Sequence, residues 1–159
     1  MDPVIEVIAK QIKTRLESVQ VANGYQTTVA DVQRPTRINA VAPLPNRVVF
    51  AQDDASDVED LDGQGRPPSR AFAHGFIVGM FIMPAQTSTD PIETAINRAC
   101  ADLCNAVMAD PQWTGLAIDT RVTNPGTWEI HGNGDYALAE IGFAVTYRVA
   151  ENDHYANRA

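Results

Sequence analysis

The chain has 159 residues, enough for one domain with a sizeable core, and its 45% apolar and 20% charged content is ordinary for a soluble globular protein. A net charge of −8 excludes a broad basic face for gripping DNA, although an acidic wall suits a channel along which DNA slides. Two cysteines, Cys100 and Cys104, without a signal-peptide pattern argue for a reducing cytoplasm, and no apolar run approaches the roughly 18–20 residues of a membrane span.

Val4, Ile5, Ile8, Ile12, Leu16 and Val19 recur at helical spacing, with Lys10, Lys13 and Glu17 on the other side. This predicts an amphipathic helix packed on a sheet, begun by Asp2-Pro3 and ended before Asn23-Gly24. A membrane-surface helix would need more basic residues on its polar face. Tyr25–Gln33 alternates loosely and is read as a strand ended by Arg34-Pro35-Thr36-Arg37, and Ile38–Asn46 as an irregular connection. Arg47–Gln52 is read as a short buried strand.

Asp53–Ser69 is read as a flexible acidic hairpin loop. Six of the ten residues from Asp53 to Asp62 are acidic, and Gly63, Gly65, Pro67 and Pro68 follow. Loops longer than about 12–15 residues are usually functional or disordered.

Ala71–Met83 is predicted as a long strand. Its even positions from Phe72 to Ile82 are bulky, and its odd positions begin small: Ala71, Ala73, Gly75 and Gly79. After the turn Pro84–Thr89, Asp90-Pro91-Ile92-Glu93 signals a helix start, with Asp90 as cap, Pro91 in the first helical position and Glu93 reaching back. The helix presents Ile92, Ile96, Ala99, Leu103 and Val107 on one face and ends near Asp110-Pro111; Trp113 is expected to cover that end. Leu116–Thr123 is read as a strand, Asn124-Pro125-Gly126 as a turn, Thr127–His131 as a short strand and Gly132–Asp135 as a second turn. Ala137–Val149 is the second long strand, its odd positions forming a core face. Glu151–Ala159 is read as a polar, frayed tail.

The order predicts an α+β domain over residues 1–150: a mainly antiparallel sheet with two long strands, packed by two amphipathic helices on one face. At about 3.3 Å per residue those strands would span about 40–50 Å, more than so small a core requires, so part of each is expected to meet another subunit.

No frame for chemistry stands out. An EF-hand alignment that puts Gly63 at position six puts Val58 at one and Ser69 at twelve, which fails the ligand pattern. His74, His131 and His154 lie in different elements, and His74 reads as a hydrogen-bonded core residue. Cys100 and Cys104 share a helix face, which would allow a zinc site, but alanines surround them and small buried thiols fit better. The phosphate-loop, dinucleotide, G-x-S-x-G and H-E-x-x-H patterns are all missing. The reading is of a protein without catalysis, cofactor or metal.

Three stretches together carry a family resemblance: the first helix passing through Val21-Ala-Asn-Gly-Tyr25 into Thr27-Thr28-Val29 and Val32-Gln-Arg34-Pro35; the strand Val48–Phe50, followed by an acidic Gly/Pro-rich loop and a strand ending Phe81-Ile-Met83; and the close, Phe143-Ala-Val-Thr-Tyr147-Arg148 with the polar Glu151-Asn-Asp-His-Tyr155. The chain resembles the tail terminator, or tail completion, proteins of long-tailed bacteriophages. The resemblance implies a subunit of a hexameric ring in the virion that caps the tail tube, ends its polymerisation and offers the head-joining surface. The implied partners are further copies of the chain, the tail tube protein and a head–tail connector or neck protein, with DNA passing through the lumen unbound and no membrane involved. The candidate subunit or tube interface is Asp53, Asp54, Asp57, Glu59, Asp60, Asp62, Arg66 and Arg70, with Arg34 and Arg37. The acidic side chains could instead line the lumen. The alternatives are another neck component, such as a head-completion or connector-stopper protein, a metal- or ligand-binding protein using the acidic loop, and an enzyme of unknown type. Deletion of Asp54–Gly65 is expected to leave the monomer folded and to impair tail capping or head joining, read out as tail length and infectivity.

Overall fold

Apolar residues at helical spacing form α1 (Val4–Glu17), as predicted, and put Ile8, Ile12 and Leu16 at full burial. Pro3 holds the N-cap position, its carbonyl accepting the Glu6 and Val7 amides. The computed structural model describes residues 1–35, 41–58, 69–84, 89–150 and 153–157. After α1 come β1 (Asp31–Gln33), β2 (Arg47–Val58), β3 (Ser69–Ile82), α2 (Ile92–Met108), β4 (Asp119–His131), β5 (Tyr136–Ala150) and β6 (Asp153–Asn157). The fold is α+β, with the strands in the order β1-β2-β3-β5-β4 and β6 on β5. All pairings are antiparallel except β1 with β2.

Both helices pack on one face. The even positions of β3 (Phe76, Val78, Met80 and Ile82) and the odd positions of β5 from Ala137 to Val149 join Ile8, Ile12, Leu16, Ile96, Leu103 and Val107 in one core. Each Val, Leu, Ile, Phe or Met among them contributes about 1.5–3 kcal/mol by leaving water.

Besides the later start of β4, at Asp119 rather than Leu116, five features differ from the sequence reading. Tyr25–Gln33 is strand only over Asp31–Gln33, because the preceding amides bond elsewhere: Val29 to the Val19 carbonyl and Ala30 to the Asn46 carbonyl. Arg34 and Pro35 follow β1 as expected, while Thr36, Arg37 and Ile38–Ala40 lie outside the described residues.

β2 runs six residues further than predicted. Asp53–Val58 is paired strand, not loop, because Ala55–Val58 ladders with Ala71–His74 and an edge strand tolerates acidic side chains in water. Asp53 and Asp54 together face Gly75, which makes a β-bulge. The expected long hairpin connection is therefore reduced to 59–68, outside the described residues, and deletion of Asp54–Gly65 would remove part of the sheet itself.

The third difference is at the start of α2. Pro91 sits at the N-cap, one position earlier than predicted, and proline has no side-chain acceptor for the free amides. The capping arrangement expected of Asp90 and Glu93 is thereby out of frame, and the Asp90 carboxylate lies 3.4 Å from Arg98. Residues 85–88 of the preceding turn are outside the described residues.

Asn124-Pro125-Gly126 is not a turn between two strands. It lies inside the single strand β4 as two consecutive bulges: Thr123 has no partner, and Pro125 and Gly126 together face Ile141. Proline is accommodated because β4 is the edge strand and no ladder amide is required there. Finally, the tail is not frayed over Asp153–Asn157. The β4 ladder on β5 stops at Asp119–Thr146, and β6 fills the vacated edge beside Val149 and Ala150.

Trp113 does more than cover the end of α2. It is fully buried, donates from its indole N–H to Thr120 Oγ1 at 2.7 Å and stacks near Phe143. Arg15 of α1 lies 3.6 Å over its ring and donates to the Val107 and Asp110 carbonyls, capping α2 from the other helix. Trp113, Thr114 and Gly115 all have positive φ, which bulky residues adopt only when their surroundings compel it. Replacing Trp113 with Ala should therefore cost about 3–5 kcal/mol in urea unfolding at neutral pH, without change of secondary-structure content before the transition.

Candidate assembly interface

Among the described residues, an edge on each side of the sheet lacks a strand partner. β4 is the last strand on one side, and among the described residues no strand pairs with its outer edge. On the other side β1 covers β2 only over Arg47–Val49, leaving the outer edge of β2 from Phe50 onward without a strand partner among the described residues. Open edges of this length are templates for pairing with another chain.

The second half of β4 carries apolar side chains that α2 does not reach. Trp128 is 44% exposed and Ile130 is 53% exposed, both on the helix side of the sheet. Trp128 borders a cleft of about 420 Å³ between α2 and the β4 bulges, with Ile96, Cys100, Cys104, Pro125 and Gly126. Space at Gly126 is tight, since a Cβ there would stand 3.1 Å from Cys100 Sγ. Both thiols are free, and burial pushes both above the ordinary thiol pKa, which favours the protonated form.

The face opposite the helices is uncovered by any described element. Val49, Ala51, Ile77, Leu138 and Glu140 line a depression of about 380 Å³ on it, and Ile77 is 45% exposed. The small odd-numbered positions of β3 are partly filled from neighbouring strands rather than by a helix: Leu138 leans over Gly79, and Asp53 over Gly75.

The residues predicted as an interface do not converge. Asp53 and Asp54 lie in the β2 bulge, exposed. Asp57 is in β2, but its side chain, like Glu59, Asp60, Asp62, Arg66 and Arg37, lies outside the described residues. Arg70 is on β3, with its guanidinium 5.6 Å over the Phe72 ring. Arg34 is on the helix side, committed to the fold: it donates to both Glu6 oxygens at 2.8 and 2.9 Å and to Gln52 Oε1 at 2.8 Å. The exposed Trp128, Ile130 and Ile77 were not singled out from the sequence. Alternation within Thr127–His131 was visible, but nothing local says that α2 ends its coverage short of it.

Arg34 begins a polar chain across the sheet. It orients the Gln52 amide so that Nε2 faces His74 Nε2 at 2.9 Å. The imidazole must then accept there and carry its proton on Nδ1, which points to Tyr147 Oη at 3.4 Å. Burial holds the His74 pKa below its ordinary 6.5, opposed by Asp54 and Asp53. Among the described residues no group of three or more His, Cys, Asp or Glu side chains could hold a metal, and no helix is long and apolar enough to cross a membrane. No family model matches the chain, and no curated protein matches it in sequence.

His74 sets a pH dependence. Its neutral form is favoured in the folded chain, so its contribution is intact above the unfolded-state value of 6.5 and is lost as pH falls below it. Urea midpoints between pH 7.5 and pH 5 should decline more steeply for the native chain than for a His74→Asn variant.

Proposed function

We propose that this chain is a structural subunit of a long-tailed bacteriophage virion. It closes with further copies into a ring of six that caps the tail tube, ends tube growth and presents the surface to which the head is joined. The observation that carries this reading is a pair of strand edges, on opposite sides of one sheet, that no described strand covers. Two different edges make a head-to-tail contact, and such contacts give a ring when the rotation from copy to copy closes. The sequence resemblance to tail terminator proteins supplies the biological setting.

The mechanism is steric. One face of the ring matches the end of the tail tube, and the other gives the next tube layer no matching surface. The tail tube protein and a connector or neck protein are the partners on the two faces. A chain with a net charge of −8 repels phosphate, so DNA passes through the lumen without being gripped. The reading assigns the chain no reaction and no cofactor.

Electron microscopy of particles made without this protein tests the assignment. Overlong tails, or tails without heads, are expected. Tails of normal length with full heads that leak DNA would assign it instead to the head-completion or stopper components of the neck.

A further inference from the structure

The two free edges carry opposite charges on the same row of the sheet. On the uncovered face the row reads Asp53, Gly75, Ala144, Arg121. Gly75 faces Ala144, and Ala144 faces Arg121, in their ladders. A Cβ built on Gly75 would lie 3.1 Å from the Asp53 Cβ, so Asp53 is on that face too. Asp53 and Arg121 are both exposed, and among the described residues neither has an oppositely charged side chain within ion-pair distance. The Asp53 carboxylate accepts the Asp54 amide at 2.8 Å. Glycine and alanine between the two charges leave the row low and open.

Strand directions add a second constraint. β2, β3, β5 and β4 alternate, so the two edge strands run opposite ways. A copy placed beside the first by rotation about an axis along the strands therefore sets its β2 antiparallel to β4. The levels agree as well: Gln52–Ser56, within the part of β2 not covered by β1, lies in the rows of Asp119–Val122, the part of β4 before its bulges.

We propose that a second copy of this chain pairs its β2 edge with the β4 edge of the first, antiparallel, in the register that sets Arg121 beside Asp53 of the neighbouring copy. Adjacent strands lie about 4.8 Å apart, which brings the two side chains within ion-pair reach. In this register Asp119 meets the row of Ser56, since Ser56, Ala73, Thr146 and Asp119 are level. A slip of one side-chain row in one direction would oppose Asp119 and Asp53, so repulsion disfavours it. The inference rests on the self-assembly read above and adds the surfaces, the direction and the register.

Cysteine cross-linking tests it, with sedimentation of the wild-type chain alongside. A mixture of Asp53→Cys and Arg121→Cys variants should form a disulfide-linked dimer under mild oxidation. Neither variant alone, nor the wild type with its buried Cys100 and part-buried Cys104, should do so. The double variant should give a ladder. Charge reversal by Asp53→Arg or by Arg121→Asp should reduce the assembled fraction, and combining the two should restore it. Cross-linking of Arg121→Cys to itself would show β4 meeting β4 and overturn the proposal. A wild-type chain that sediments as an oligomer while the mixture fails to cross-link would overturn this pairing but leave self-assembly standing. A chain that stays monomeric at its highest soluble concentration, with no cross-link in the mixture, would remove both.

Discussion

The pairing of β3 with β5, unbroken from Ser69↔Ala150 to Ile82↔Ala137, is the constraint on which the other elements depend. Both strands are flanked on each side for much of their length, so neither can slip without moving every side chain to the wrong face. That ladder sets the even positions of β3 and the odd positions of β5 against the helices. It also consigns Gly75, Gly79, Gly142 and Ala144 to the uncovered face. The outer strands are freer, and both bulge: β2 at Asp53–Asp54, and β4 at Thr123 and at Pro125–Gly126. The irregularities thus collect at the two edges where the proposed assembly would form.

Polar contacts reinforce this arrangement at two places. Arg15 joins the helices by capping α2 and lying over Trp113, and the indole is tied by Thr120 to the Pro111 carbonyl. At the other end, Glu6, Arg34, Gln52, His74 and Tyr147 form a chain from α1 across the sheet. A half-buried imidazole held as an acceptor by a glutamine is incompatible with its own protonation, which ties that end of the sheet to pH. Arg34, an interface candidate by charge, belongs to this chain because Glu6 and Gln52 are both within reach of its guanidinium inside the subunit.

Much of the fold was legible in the residues. Periodicity located both helices, the two long strands and the core faces of each, since alternate or every-third-to-fourth apolar side chains have only one way to leave water. Turn chemistry was less informative. Asn-Pro-Gly is a strong turn signal, yet at 124–126 it bulges within β4, because β5 holds the strand on both sides of the interruption. Acidic composition likewise suggested a loop at Asp53, where backbone pairing with β3 decided for strand. Edge strands tolerate polar side chains and proline, so local composition discriminates poorly there.

The sequence by itself determined the fold class, the side of each long strand that faces the core and the absence of a familiar catalytic frame, because these follow from spacing along a chain. Only the tertiary structure decided that β1 stops short of covering β2, that α2 leaves Trp128 and Ile130 in water, and that Asp53 and Arg121 fall on one row at opposite edges. Those relations depend on strand order and register, which bring together residues 68 positions apart. Pattern along a strand fixes which way a side chain points but not which strand lies beside it.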